Sequence, residues 1–167
     1  MKTMVYFVEF SERVQAVRRQ GIDMRYQEGS YGRVFLLRFD DRDDLLGEIR
    51  GLAAAENIRA ATVMLLGGMR TAGVVSGPRE PVVPPDPMWV SFSDGREVIG
   101  FGTLFRKGEE PVIHLHGAIG RGSDALVGCI RKDATAYLVI EAVVAEITGI
   151  DARKTLDERT GLVMLEL

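Results

Sequence analysis

Apolar residues along this chain fall into short runs separated by glycine, proline or charged residues, a pattern typical of a sheet-rich domain. One long apolar run, residues 137–147, favours a strand, although its periodicity alone also allows a helix. In the N-terminal part, the pattern allows a strand over residues 5–10 and a short helix over residues 12–20. The runs that predict strands are residues 33–39, 59–66, 69–77, 88–92, 97–105, 112–119, 126–131 and 162–167.

One segment has helical periodicity. Asp40 and Asp41 are N-cap candidates immediately before it, and Asn57 is expected to close it. Further aspartates in the first turn would interact favourably with the helix dipole. The spacing predicts an amphipathic helix over residues 42–56, with apolar residues on one face: Leu45, Ile49, Leu52 and Ala53.

Glycine and proline mark the expected turns. Gly67-Gly68 lacks the lysine and hydroxyl residues of a phosphate-binding loop, so we interpret it as a bulge or a close backbone contact. The proline-rich residues 78–87 predict a loop because proline cannot donate to a sheet ladder. Asp94-Gly95 predicts a hairpin turn.

Many strands and one convincing helix predict an α+β fold, with a mostly antiparallel sheet flanked by one main helix. The chain has 167 residues, enough for one domain with its own core. We assign residues 1–29 to an N-terminal extension and residues 30–167 to the domain.

Composition narrows the class of protein. Apolar residues make up 46% and charged residues 27%, as in an ordinary globular protein. The net charge of −3 gives no global attraction to nucleic acid. Glu141 and Glu146 interrupt the longest apolar run, which argues against a membrane span. The single cysteine, Cys129, precludes an intramolecular disulfide and favours a reducing, cytoplasmic compartment.

Several sequence blocks occur in an order and spacing that resemble the PPC family of plants and prokaryotes. The resemblance covers about residues 24–167. It implies an α+β domain with a seven-stranded antiparallel sheet, a flanking helix and a homotrimeric assembly. The blocks are Gly32–Phe39, Asp43–Leu46, Ile58–Ala61, Arg96–Leu104, Pro111–His116, Gly128–Arg131 and Asp157–Leu162.

The sequence departs from the family pattern in two respects. Plant members carry an AT-hook, a basic Gly-Arg-Pro segment that enters the DNA minor groove, and this chain has none. Many prokaryotic members carry a third histidine after a Gly-Gly pair, whereas here Gly128 is followed by Cys129. A DNA-binding role therefore loses its main physical support, and a three-histidine site does not transfer directly.

The only two histidines, His114 and His116, are separated by one residue. On a strand they would share one face, roughly 7 Å apart along the backbone. Imidazole is the commonest metal ligand near neutral pH, and a thiolate from Cys129 would complete a set suited to zinc or another transition metal. An open fourth position would accept water or a small-molecule ligand.

Other interpretations of these residues stay open. The histidines can be polar side chains satisfied by hydrogen bonds on a half-exposed strand, and Cys129 can be an inert buried residue. Alternatively, Cys129 is a nucleophile whose pKa is lowered by Arg131, with a histidine as base. Arg131 and Glu141 are candidates for supporting the metal ligands or for contacting a bound ligand. Glu141 is also a candidate metal ligand or general base, although an ion pair with an arginine across an interface, or a solvated position, is the favoured interpretation.

These observations lead to one main hypothesis and two alternatives. The main hypothesis is a trimeric metal- or small-ligand-binding protein of unknown reaction, for which hydrolytic or lyase-type chemistry is the default expectation if the metal has an open position. The first alternative is a DNA-binding, transcription-associated regulator that lacks an AT-hook. The second is a scaffold that only trimerises and recruits a partner.

Overall fold

The computed structural model describes residues 24–167 of the chain. The N-terminal strand and helix suggested by the sequence at residues 5–10 and 12–20 lie outside this range. The described elements, in chain order, are β1 (Ser30–Asp40), α1 (Leu45–Ala55), β2 (Ala60–Pro78), β3 (Pro87–Phe92), β4 (Arg96–Lys107), β5 (Glu110–Arg121), β6 (Asp124–Thr148), β7 (Arg153–Asp157) and β8 (Leu162–Glu166).

The strands form one six-stranded antiparallel sheet in the order β1-β6-β5-β4-β2-β3 and a separate β7–β8 hairpin. The expected mostly antiparallel sheet with one helix is confirmed, with six and two strands in place of a single sheet of seven. β6 pairs with β5 through its first part and with β1 and β2 further along. The pairings β2–β4, β4–β5, β5–β6 and β6–β2 therefore form a closed circuit with an inner and an outer face.

The hydrophobic core lies on the inner face of this circuit. Helix α1 contributes Leu45, Leu46, Ile49 and Ala53 to it. Arg106 anchors the end of the helix to β4, since its guanidinium donates to the carbonyl oxygens of Ala53 (2.8 Å), Ile58 (2.9 Å) and Glu109. The strands contribute fully buried side chains to the same core, among them Val63, Val98, Leu104, Leu115 and Ile140.

The helix is shorter than predicted. It begins after Asp44, whose carboxylate accepts a hydrogen bond from the Gly47 amide (3.1 Å). Asp44, and not Asp40 or Asp41, is therefore the N-cap, because β1 continues through Asp40. Asn57 follows the end of the helix with a positive φ of 52°, the left-handed conformation expected of a closing asparagine.

Gly67-Gly68 was correctly predicted to mark a bulge, whereas Asp94-Gly95 joins two strands that do not pair with each other. The register between β2 and β6 shifts at Gly67/Gly68 within one continuous strand. Gly67 has a φ of +136°, and a Cβ there would collide with the carbonyl oxygen of Val139. The hairpin prediction at Asp94-Gly95 is wrong, because β3 and β4 both pair with successive parts of β2 and not with each other.

Two further differences concern the C-terminal half. The predicted strands 126–131 and 137–147 are parts of one 25-residue strand, β6. β7 was not predicted, and it pairs with β8 to form the terminal hairpin. Within residues 24–167, no helix is long and apolar enough to cross a membrane.

Candidate metal centre

Three side chains with metal-binding chemistry come together on the outer face of the circuit. His114 and His116 lie on β5, separated by the fully buried Leu115, so strand alternation directs both imidazoles outward. His116 is the cross-strand partner of Cys129 on β6. Directly paired residues share a face, so the thiol lies beside the two rings.

The donor atoms of this cluster are close together. The Nε2 atoms of His114 and His116 are 3.1 Å apart, with ring centroids 4.9 Å apart and planes inclined at 77°. The ligand atoms of His114, His116 and Cys129 all lie within 4.8 Å of one another. The structure therefore brings together the three side chains that the sequence indicates as candidate metal ligands.

The cluster fits a tetrahedral transition metal. Zinc–nitrogen bonds of 2.0–2.1 Å place two coordinated nitrogens about 3.3 Å apart, and a nitrogen and a sulfur about 3.6 Å apart. The Nε2–Nε2 distance of 3.1 Å is close to the first value, and the 4.8 Å limit on the whole cluster requires the side chains to move closer together to bind one ion. Two imidazoles and one thiolate would leave the fourth position of a tetrahedral ion open. The same 3.1 Å separation also satisfies a hydrogen bond between the imidazoles, the metal-free interpretation of the pair.

The terminal hairpin covers one side of the cluster. Lys154 on β7 is only 7% exposed, and its Nζ lies 6.0 Å from the ring centroid of Phe105 on β4. Cys129 is likewise 4% exposed, whereas both histidines are exposed to solvent. The sequence does not single out Lys154, because nothing in the short segment 153–157 indicates that it folds over the sheet.

Burial and neighbouring cations set the protonation of the cluster. Desolvation lowers the pKa of His114, and the charges of His116, Lys154 and Arg131 lower it further. Desolvation raises the pKa of the Cys129 thiol, and this outweighs the opposite effects of Arg131, the Leu115 amide and Lys154. The lowered pKa of His114 favours the neutral imidazole that metals require.

Arg131 and Glu141 have different positions relative to the cluster. Arg131 follows Cys129 by two residues on β6, and its charge acts on His114, Cys129 and Lys154. Glu141 lies further along β6, exposed, with Arg38 and Leu66 as its cross-strand partners. The structure therefore places Arg131 beside the cluster and leaves Glu141 outside the set of side chains that can share one ion.

The proposed activation of Cys129 as a nucleophile meets an electrostatic obstacle. The expectation was that Arg131 would lower the pKa of the thiol. Arg131 does act in that direction, but the net pKa is raised by burial. A metal ion would overcome this effect by displacing the thiol proton, since thiolates bind transition metals directly.

An exposed apolar surface adjoins the histidines. A cross-strand row runs through Leu36, Val143, Met64, Phe101 and His116 on successive strands of the outer face. Phe101 is 58% exposed and directly opposes His116. We define the outer apolar face by its exposed large side chains: Val34, Leu36, Met64, Leu66, Ile99 and Phe101.

Solved structures with the same fold come from archaea and bacteria. A metal-containing protein from Archaeoglobus fulgidus has a TM-score of 0.76 and 23% identity, over 86% of this chain and 100% of that chain. A plant- and prokaryote-conserved protein from Pyrococcus horikoshii has a TM-score of 0.70 and 19% identity, over 86% and 99%. A proposed DNA-binding protein from Ralstonia eutropha JMP134 has a TM-score of 0.65 and 18% identity, over 79% and 90%.

At identities below 25%, these structural similarities show a shared fold alone. No curated protein matches the sequence significantly. Residues 26–148 match the Plants and Prokaryotes Conserved (PCC) domain, which covers β1 through β6 together with His114, His116 and Cys129. Most of the chain is therefore accounted for by one family, as the resemblance of the sequence blocks predicted, and the protein belongs to the Plants and Prokaryotes Conserved domain family.

Proposed function

We propose that this protein binds a transition metal ion, zinc by preference, through His114, His116 and Cys129. The observation that carries the proposal is the convergence of two imidazole nitrogens and one sulfur within 4.8 Å on the outer face. Nitrogen and sulfur ligands favour zinc over magnesium or calcium, which prefer oxygen. A structurally similar protein from Archaeoglobus fulgidus is described as metal-containing, which agrees with this proposal.

The open fourth position defines the function that we propose for the bound ion. The histidines are exposed, so solvent or a small ligand reaches the ion from their side. A three-ligand site with one open position is typical of zinc that polarises a bound water or carbonyl, and less typical of structural zinc. The proposed function is therefore metal-dependent binding of a small molecule, with hydrolytic or lyase-type chemistry as the reaction class to screen first.

The test is metal content and affinity in untagged protein purified without added metal. We expect near-stoichiometric metal after incubation with zinc, measured by plasma mass spectrometry after desalting. The double variant His114→Ala/His116→Ala should retain less than about a tenth of that metal, because one remaining thiol is a weak ligand.

Two single variants sharpen the result. Cys129→Ser should weaken zinc binding while preserving packing, because serine is close to cysteine in size and a poor zinc ligand. Glu141→Gln is the matched control outside the cluster, and its metal content should equal that of the unchanged protein. Equal metal content in the unchanged protein and the double variant would contradict the proposal.

We also propose that the protein assembles as a homotrimer through the outer apolar face. Monomeric proteins seldom leave several large apolar side chains exposed side by side, and larger patches of this kind mark association surfaces. Because Phe101 opposes His116, such an assembly would shield the apolar neighbours of the metal site from water.

DNA binding is a second candidate, favoured by the description of structural neighbours as proposed DNA-binding proteins, from Ralstonia eutropha and Bacteroides thetaiotaomicron. The net charge of −3 opposes it. Fluorescence anisotropy with a labelled duplex at low salt separates the candidates. Saturable binding that weakens with added salt and survives the histidine substitutions would favour a nucleic-acid role over the metal-dependent one.

A further inference from the structure

The terminal hairpin places a buried cation beside the candidate metal cluster. Lys154 is among the few charged side chains of the described chain that are almost fully buried. The charges that act on it are those of Arg131 and Cys129, and no carboxylate of residues 24–167 is among them. Buried lysines normally pair with an acidic group, because an isolated charge is costly to remove from water.

The surroundings explain how Lys154 is accommodated without such a partner. Its Nζ lies 6.0 Å from the ring centroid of Phe105 on the outer face of β4, a distance at which a cation–π contact gives modest stabilisation. The charge of Lys154 also acts on His114 on β5 and Cys129 on β6. The ammonium group therefore lies beside Phe105 and close enough to the cluster for its charge to act on two of the candidate ligands.

Arg131 adds a second cation next to the cluster. It is exposed, it lies on the same strand as Cys129, and its charge acts on His114, Cys129 and Lys154 together. Among residues 24–167, Arg131 takes part in no ion pair and no side-chain hydrogen bond, so its five guanidinium N–H donors are available to a ligand.

The charge balance selects the class of ligand. A divalent ion bound by two neutral imidazoles and one thiolate keeps a net positive charge, to which Lys154 and Arg131 add two more. Positive charge fixed at a partly buried site attracts anions and strengthens charge-assisted hydrogen bonds to them. A neutral or cationic ligand would leave these charges uncompensated.

We propose that the site binds a small anionic ligand, with one oxygen at the open position of the metal and others hydrogen-bonded to Lys154 and Arg131. This inference rests on the proposed function, because it assigns the ligand of the same metal site. The shared chemistry is an anion with several oxygens, either a phosphate or a carboxylate. Lys154 supplies a point charge and Arg131 a two-pronged contact, a combination suited to multi-oxygen anions.

Isothermal titration of the zinc-loaded full-length protein tests the inference. The probes are inorganic phosphate and succinate, each titrated at constant ionic strength adjusted with sodium chloride. We expect saturable binding of one probe in preference to the other, and the preferred probe identifies phosphate or carboxylate chemistry. Binding of neither probe to the zinc-loaded protein would overturn the proposal.

Variants separate the ligand site from the metal site. Lys154→Met and Arg131→Gln should each weaken binding of the preferred anion by about tenfold or more, which is the usual scale of one charge-assisted contact. Zinc content should be unchanged in both. Lys132→Met is the matched control, because Lys132 lies next to Arg131 on β6 but contacts the Trp89 ring, 5.2 Å away. Loss of anion binding equally in this control would show general electrostatics and overturn the assignment.

Two further measurements keep the proposal testable if a variant does not fold or if the protein binds no metal. Lys154→Arg keeps the charge, so it should retain anion binding, and it takes the place of Lys154→Met if that variant does not fold. If the unchanged protein binds no zinc, the proposed function fails, and the same titration on metal-free protein decides the inference separately. Binding that is lost in Arg131→Gln would then support an anion site built from the cations, and no binding would overturn it.

Discussion

The inner and outer faces of the closed circuit of strands are formed by the same strands but differ in burial and chemistry. On β4, Val98 and Leu104 point into the core and are almost fully buried, whereas Ile99 and Phe101 point outward and are 73% and 58% exposed. On β5, Leu115 is buried between two exposed histidines. Stability is therefore concentrated on the inner face, and the candidate metal centre and the proposed association surface lie on the outer face.

The outer face itself is divided by the terminal hairpin. Phe105 continues the outward series of β4, yet it is only 6% exposed because Lys154 of β7 lies over it. Cys129 is buried on the same side. The candidate metal centre thus lies at the boundary between a covered and an open part of the sheet. This position gives it one covered side, next to Lys154, and one side exposed to solvent.

The largest effect is expected from a cavity on the inner face. Leu104→Ala should lower the free energy of unfolding by about 2–5 kcal/mol, because Leu104 is fully buried and the core cannot collapse completely around the missing atoms. Urea denaturation followed by circular dichroism at a fixed protomer concentration measures this change.

Ile99→Ala is the matched control on the outer face of the same strand. At a protein concentration low enough to dissociate the proposed trimer, the largely exposed Ile99 should contribute no more than about 0.5 kcal/mol. Equal destabilisation by both variants would contradict the division between the two faces. A loss for Ile99→Ala that grows with protein concentration would instead indicate that Ile99 is buried in the assembly.

A smaller effect on folding, but a large effect on assembly, is expected from Phe101→Asp. A carboxylate in the outer apolar face cannot be buried against another protomer without a partner, so the proposed trimer should dissociate. Light scattering coupled to size-exclusion chromatography should show a trimeric mass for the unchanged protein and a monomeric mass for the variant. The circular dichroism spectrum should stay unchanged, since Phe101 lies outside the core.

Glu97→Gln on the same strand provides a conservative reference for this experiment. It changes one exposed charge without adding a buried one, so the trimeric mass should persist. A monomeric mass for the unchanged protein, or a trimeric mass for Phe101→Asp, would each contradict assembly through this face.

Local sequence pattern was sufficient to predict much of the fold and the shared face of the two histidines. Strand alternation over residues 112–119 places His114 and His116 on one face, and β5 has that alternation. The amphipathic spacing identified α1, and Gly67-Gly68 indicated the bulge in β2. These features depend on residues close together in the chain, which is where sequence patterns are most informative.

Features that depend on pairing between distant parts of the chain could not be predicted from local sequence pattern. The hairpin prediction at Asp94-Gly95 is wrong because β2 is long enough to pair with both β3 and β4, which the turn dipeptide cannot reveal. Lys154 lies in a five-residue strand rich in charged residues and is buried only because the hairpin crosses Phe105. The cationic side of the site therefore becomes visible only in the folded chain.

The smallest effect is expected at the edge of the sheet, where Arg33 donates to Glu146 at 2.9 Å and also pairs with Glu56. The hydrogen bond from Arg33 lowers the pKa of Glu146 in the folded protein below its unfolded value. The pair therefore stabilises the fold above the unfolded pKa, and this stabilisation is lost as pH falls through the folded pKa.

Glu146→Gln should be slightly less stable than the unchanged protein at pH 7 and should lose less stability on acidification, as measured by urea denaturation at pH 7 and about pH 3. Glu80→Gln, at an exposed loop position, should follow the unchanged protein at both pH values, and an identical acid dependence in Glu146→Gln would show that the ion pair contributes nothing.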